Sequence, residues 1–237
     1  MNKGYIIYQG ESLLDGKEIV VVFLPTSKNS KTGDMAQTYI LVVGIDPRLA
    51  SKTGADYSIC GDCKHRGIPT TDPTRKIAMK RTCYVKIHQG VLATFRAYEK
   101  GNYLVADTHD EIQKLGTNQF VRLGTYGDPS AVPSYVWDSL LSKSKNNTGY
   151  THQSNNPNAD VRTDQCMISA DSYAQAKEFW KKKIRTFRVL QKNEELDKQN
   201  EVLCPASKEA GRRTTCNDCL LCSGSNIKAK SVAIYQH

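Results

Sequence analysis

Four cysteines near the end of the chain have the residue type and spacing of a closed metal site. Eleven residues separate Cys204 from Cys216, two residues separate Cys216 from Cys219, and two residues separate Cys219 from Cys222. The two-residue spacing lets successive thiolates point at one ion or cluster, because the short turn aims backbone amides at the sulfurs. These four residues, here called the C-terminal cysteine set, suit either a structural zinc ion or a four-iron cluster with one remote cysteine. The sequence predicts a metal centre and leaves the metal open.

A second group of cysteines lies in the first half of the chain. Cys60 and Cys63 form a CxxC pair, and Cys83 follows twenty positions later; these three are called the N-terminal cysteine set. Cys166 and His65 are both candidates for a fourth ligand. If Cys166 is instead a buried strand residue, three protein ligands leave an open coordination position, which distinguishes catalytic from structural metal sites.

The eight cysteines are assigned to metal binding and not to disulfides. The N-terminal residues lack the long apolar stretch and small-residue cleavage site of a secretory signal, so reduced thiols in a cytoplasmic protein are expected. The longest apolar run, Ile19 to Leu24, is far shorter than the roughly 20 residues of a membrane span. The cofactor predicted is therefore zinc or an iron–sulfur cluster, and no membrane partner is expected.

Polar side chains end several of the predicted strands. Asp128, His152 and Asp171 follow three such strands. The carboxyl ends of parallel strands meet at one edge of a sheet, so these three are candidate catalytic residues expected to converge close to the N-terminal cysteine set. The alternative is local: Asp128 before Pro129 suits a turn, and Asp171 before Ser172 suits a helix cap.

The elements that must position these residues begin with three runs rich in Val, Ile and Tyr. These runs, at 5–8, 18–24 and 39–43, predict an antiparallel N-terminal sheet. Further strands are predicted at 84–88, 120–124, 149–152, 166–170, 184–190 and 231–235, with helices at 91–100, 133–141 and 172–182. Repeated βα units of this length predict an α/β fold with a mostly parallel sheet, open or curled into a partial barrel.

Three regions follow from this pattern. Residues 1–58 form an N-terminal β subdomain, residues 59–190 a βα-repeat core with the first cysteine site, and residues 191–237 a linker with the C-terminal cysteine-rich metal-binding segment. The fold class is thus an α/β core with an N-terminal antiparallel β extension.

The charge balance favours a polyanionic partner. The chain has 33 Lys and Arg against 24 Asp and Glu, a formal net charge of +9. Neutralised phosphates release counterions, so Lys80, Arg81, Arg212 and Arg213, which lie beside cysteines, are predicted to contact nucleic acid. A solvated basic surface is the alternative.

Several segments resemble a group of uncharacterised cysteine-rich proteins encoded mainly by bacteriophages. The segments are ICGDCKHRG, RTCYV, VRLGTYGDP, GYTHQ, RTFRV and CPASKEAGRRTTCNDCLLC, and the resemblance runs from about Lys31 to Gly224. The order of cysteine cluster, helix, R-x-G-x-x-G-D strand and Y-T-H strand is also distantly similar to radical-SAM-type partial barrels. This chain has the CxxC pair and a remote cysteine where those proteins have a C-x3-C-x2-C loop. The resemblance implies a phage origin, hence the host cytoplasm, and a fold, but no activity.

Three functional hypotheses follow. The first is a metal-stabilised protein that binds nucleic acid. The second is a metal- or iron–sulfur-dependent enzyme with its site on the rim of a partial barrel, and the third is a host-takeover protein that binds a bacterial protein.

Overall fold

A computed structural model describes residues 4–27, 29–211 and 214–236. The strands are β1 (Tyr5–Glu11), β2 (Glu18–Leu24), β3 (Ala36–Val42), β4 (Leu104–Val105), β5 (Phe120–Tyr126), β6 (Asn146–Thr148), β7 (Tyr150–Thr151), β8 (Met167–Ala170), β9 (Thr186–Leu190), β10 (Glu201–Leu203) and β11 (Ser231–Tyr235). The α-helices are α1 (Pro47–Thr53), α2 (Tyr57–Cys60), α3 (Leu92–Glu99), α4 (His109–Gly116), α5 (Ser134–Leu141), α6 (Tyr173–Lys181) and α7 (Cys216–Cys219). Within these ranges no helix is both long and apolar enough to cross a membrane.

The first three strands form the antiparallel part of the structure. β2, with the sequence EIVVVFL, pairs antiparallel with β1 on one side and with β3 on the other. Its β-branched side chains suit a pleated surface, and five consecutive residues of the strand are buried. This confirms the predicted antiparallel N-terminal sheet. β4 adds a short parallel edge beside β1.

The remaining strand pairs are parallel. β3, β5 and β6 complete a six-stranded sheet, and β7, β8, β9, β11 and β10 follow one another in a five-stranded sheet. Only Gly149 separates β6 from β7, so the chain passes directly from one sheet to the other. A Cβ atom at Gly149 would lie 2.7 Å from Cys166 Sγ, which requires glycine at this crossing. The mixed α/β class with a mostly parallel arrangement is confirmed.

One predicted strand is wrong. Residues 84–88 do not form a strand, and an irregular helical turn spans Ile87–Val91 before α3. The carbonyls of Cys83 and Val85 accept hydrogen bonds from the Arg81 guanidinium (3.0 and 2.9 Å), so a side chain takes the place of a neighbouring strand.

The larger apolar core lies around the six-stranded sheet. Trp137 and Leu140 of α5 are buried with the side chains of β2, β3 and β5, and the Trp137 indole donates to the Pro129 carbonyl (2.9 Å). A smaller cluster on the five-stranded sheet contains Cys204 and Cys222 together with residues of β8 and β11. Half of the C-terminal cysteine set is therefore built into the core of the second sheet.

A buried ion pair joins two strands of the second sheet across β11. The Arg188 guanidinium donates two bonds to the Glu201 carboxylate (2.8 and 2.7 Å), and the two side chains are 2% and 0% exposed. Ala233 of β11 lies opposite Arg188, and its small side chain leaves room for this contact. Without Glu201, the buried guanidinium would keep only the longer contact to the partly exposed Glu194 carboxylate (3.3 Å), which compensates its charge less well.

We therefore predict that Glu201→Ala lowers the free energy of unfolding by about 3–5 kcal/mol in urea titrations. Glu178→Ala, which removes an exposed ion pair with Lys181, should leave the free energy of unfolding nearly unchanged. Equal effects of the two substitutions would contradict the structural importance of the buried pair.

Candidate functional site

One cavity of about 970 Å³ gathers most of the residues that could do chemistry. Both cysteine sets line it in full. Alternate residues of the second sheet face it, Phe187 and Val189 from β9 and Val232 and Ile234 from β11, as the two-residue period of strands requires. The two sets, separated by more than 100 residues in the sequence, therefore share one solvent space.

The N-terminal cysteine set is carried by the end of α2 and the loops after it. Cys60 is the last residue of α2, and Gly61 turns the chain with φ +48°, a conformation that favours glycine. Burial raises the pKa values of the Cys60 and Cys83 thiols, and the charge of Cys63 acts on both. The three sulfurs are thus close enough to interact electrostatically.

Gln153 fixes the loop that carries this set. Its buried side-chain amide donates to the Cys60 carbonyl (2.9 Å) and to Asp128 Oδ2 (3.1 Å), and its Oε1 accepts from the Asp62 amide (3.1 Å). The sequence analysis did not identify Gln153 as a site residue, since an amide that serves only as a connector has no recognisable motif.

Asp128 is part of the same network. Its Oδ1 accepts from the Ser130 amide (3.0 Å), and its Oδ2 also accepts from the His152 amide (2.8 Å). Burial raises the pKa of this carboxyl group. Both oxygens are engaged by peptide or amide N–H groups, so Asp128 lines the cavity as a positioning residue.

His152 and Asp171 meet beside Cys63. His152 Nδ1 lies 3.0 Å from Asp171 Oδ1, and the charge of the neighbouring Cys63 acts on the His152 ring. Burial favours the neutral imidazole, but the Asp171 carboxylate and the Cys63 sulfur outweigh it and raise the His152 pKa to about 10. The structure therefore brings two of the three predicted catalytic residues together at the N-terminal cysteine set.

His65 lies next to His152 in the lining of the cavity. It is buried, its Nδ1 lies 2.8 Å from Thr82 Oγ1, and its ring centroid lies 5.6 Å from that of His152. Burial lowers the His65 pKa to about 4, which keeps the imidazole neutral. The ligand atoms of His65, His152 and Asp171 all lie within 4.8 Å of one another, close enough to hold a metal ion.

The fourth ligand of the N-terminal set can now be compared with the two predicted candidates. Cys166 packs in the apolar core of the first sheet, so the structure does not bring it to the set. His65 lines the cavity, and so does His152, on which the charge of Cys63 acts. His152 is thus a ligand candidate that the sequence analysis placed only among the catalytic residues.

The C-terminal cysteine set is held by short local structures. Thr215 caps α7 by accepting from the Asp218 amide (3.3 Å), and the Cys216 amide donates to the Lys31 carbonyl (2.9 Å). Burial, together with the charges of Cys204 and Cys216, raises the pKa of Cys222 to about 12. Reduced sulfurs in this position need a metal or a proton to compensate their charge.

Tyr84, Arg122 and Tyr150 lie between the two sets. Arg122 Nη2 donates to the Tyr84 hydroxyl (2.6 Å), and its guanidinium carbon lies 5.2 Å from the Tyr150 ring centroid. The charges of Cys83, Cys216 and Cys222 all act on the Tyr84 hydroxyl. Tyr84 therefore lies within electrostatic reach of both sets.

The residues predicted to contact nucleic acid lie in different environments. Lys80 is exposed, whereas Arg81 lines the cavity and is engaged by backbone carbonyls. Arg212 and Arg213 lie outside the described residues. Nucleic-acid binding stays a prediction.

Gln153→Ala should release the loop that carries Cys60 and Cys63. We expect a loss of about 1–3 kcal/mol in the free energy of unfolding, because buried partners are left without hydrogen bonds. Both thiols of the metal-free protein should also react faster with iodoacetamide. Gln9→Ala, at an exposed amide, is the matched control, and equal alkylation rates in both variants would contradict the role of Gln153.

Comparison with known proteins finds no matching family model, no matching curated protein and no matching solved structure. The resemblance to bacteriophage-encoded proteins stays a prediction. Any function assigned to the chain therefore depends on the residues and geometry of its own cavity.

Proposed function

We propose that the protein is an iron–sulfur enzyme whose substrate enters the cavity shared by the two cysteine sets. One observation carries this proposal: seven cysteines, the His152 imidazole and the buried Arg122 guanidinium line a single space of about 970 Å³. This volume is at the upper end of the roughly 300–1,000 Å³ typical of small-molecule sites. A purely structural metal site would need no such space.

We propose further that the two sheets together form a partial barrel around the cavity. The direct passage from β6 to β7 through Gly149 and the inward residues of β5, β7, β9 and β11 support this architecture. In such a barrel, loops at the strand ends carry the reactive groups, as the loop with Cys60 and Cys63 does here.

The N-terminal set supplies three thiolates, and Cys60, Cys63 and Cys83 all line the cavity. A structural zinc ion takes four tetrahedral protein ligands, so three thiolates beside an open cavity favour a centre with a free coordination position.

The donor set also suits catalysis at the N-terminal centre. With three thiolates from the chain, a cluster would keep one iron open to the cavity and could supply electron transfer or Lewis acidity there. The His152 imidazole, bonded to Asp171, lies beside this set in the cavity, and Gln153 holds the loop in place. Both sets line the same cavity, which supports electron exchange between two centres.

The metal assignment predicts the composition of anaerobically purified protein. The parent should be brown and contain iron and acid-labile sulfide. Cys63→Ala should lose the N-terminal centre and Cys219→Ala the C-terminal centre, whereas Cys166→Ala, at a cysteine in the apolar core, should retain both. A colourless parent that contains only zinc would overturn the iron assignment, and full retention in Cys63→Ala would overturn the ligand assignment.

Nucleic-acid binding is a second candidate, favoured by the net charge of +9 and by the cations near the cavity. Binding should weaken with salt, with a slope of log affinity against log salt of about −0.9 per neutralised phosphate on duplex DNA. Lys80→Glu should reduce this slope, and Lys100→Glu, at an exposed lysine after α3, should not. No binding to DNA or RNA at low salt would eliminate this candidate.

A further inference from the structure

We infer that Arg122 and Tyr84 form an anion site that holds a phosphate or carboxylate group of the substrate. This inference deepens the proposed function, since it rests on the cavity being the substrate site. It assigns the substrate to the class of small acidic molecules.

Arg122 is a buried cation without a carboxylate partner. It lies within β5, is 6% exposed, and lines the cavity. Among the described residues no ion pair includes it, and the groups that act on its charge are Tyr84, Tyr150 and Cys216. A buried guanidinium without a countercharge costs folding free energy, which a bound anion would recover.

The other two arginines that are buried in the described part of the chain show how such a charge is compensated elsewhere. Arg188 forms its two-bond pair with Glu201. The Arg185 guanidinium donates to the carbonyls of Gly224 and Lys230. Arg122 differs from both because its polar neighbours are the phenols of Tyr84 and Tyr150 and because it lines the cavity.

Tyr84 supplies a second donor beside the guanidinium. Its oxygen accepts the bond from Arg122 Nη2 (2.6 Å), so its own hydroxyl hydrogen is free to donate. Tyr84 is 60% exposed because its ring faces the open cavity. A planar guanidinium fork next to a hydroxyl donor matches the oxygens of a carboxylate or phosphate.

The charge of the cavity wall acts in the same direction. Its basic lining residues are Lys31, Arg66, Arg81, Lys86 and Arg122, and its acidic ones are Asp56 and Asp128. Asp56 is paired with Arg66 at 2.6 Å, and Asp128 is engaged by N–H groups. A cleft with an excess of basic side chains concentrates anionic ligands.

The competing explanation is that Arg122 only balances the thiolates of the C-terminal set, because Cys216 acts on its charge. In that case no free anion would bind, and the loss of Arg122 would release the C-terminal metal. Measurements of anion binding and metal content together separate the two explanations.

The test is titration calorimetry of the metal-loaded protein with inorganic phosphate and, separately, with acetate. We expect at least one of them to bind, and Arg122→Gln to weaken that binding about 10- to 100-fold, the equivalent of one charge-assisted contact. Tyr84→Phe, which keeps the ring, should weaken it by a smaller factor. Arg96→Gln, at an exposed arginine of α3, should leave it unchanged.

The inference is overturned if neither anion binds the parent; loss of metal from Arg122→Gln would then assign Arg122 to the C-terminal set alone. It is also overturned if Arg122→Gln and Tyr84→Phe both bind the anion as tightly as the parent. If Arg122→Gln fails to fold, Tyr84→Phe alone decides. Metal and sulfide analysis of the same samples tests the proposed function separately, because anion binding at Arg122 requires no iron.

Discussion

Two buried side chains, Gln153 and Asp128, join the end of β7 to the loop that carries Cys60 and Cys63. Gln153 bonds to backbone groups on that loop, and Asp128 accepts from the His152 amide, so one network fixes the CxxC pair and the imidazole together. Because the network is buried, each lost bond would leave a group without water to replace it. The position of Cys63 relative to His152 therefore depends on these two side chains.

The two sets of cysteines place the same electrostatic demand on the cavity. Reduced thiolates need positive charge nearby, and burial raises the pKa values of Cys60, Cys83 and Cys222. The basic side chains that line the cavity stabilise part of the thiolate charge without metal. A metal centre at each set would take over the thiolate charge, which would leave Arg122 available for an anion in the cavity.

Residue type and short-range spacing predicted a large part of this arrangement. The β-branched run of β2 and the Ser172 cap of α6 are local signals, and both elements lie where the sequence places them. Helix α4 was missed although Thr108 and Glu111 form a capping box. The strand expected at 84–88 failed because Arg81, a tertiary partner, takes the carbonyls a neighbouring strand would have paired.

The site was harder to predict from sequence because its contacts are long-range. The bond from Gln153 to the Cys60 carbonyl joins residues 93 positions apart, and no local pattern encodes it. The same holds for Tyr84 and Arg122, which sequence spacing gives no reason to pair. The convergence of polar residues at strand ends could be anticipated, since it follows from parallel topology. The positioning role of Asp128 could not, because it depends on which N–H groups surround the carboxylate.

Anomalous diffraction from crystals of anaerobically purified protein, recorded at the iron and zinc edges, would show whether two separate metal centres open onto one cavity. We expect two metal peaks, one bonded to Cys60, Cys63 and Cys83 with iron as the scatterer, and one bonded to the C-terminal cysteine set. A single peak, or a peak at Cys166 in place of the N-terminal set, would rule out the proposed pair of centres.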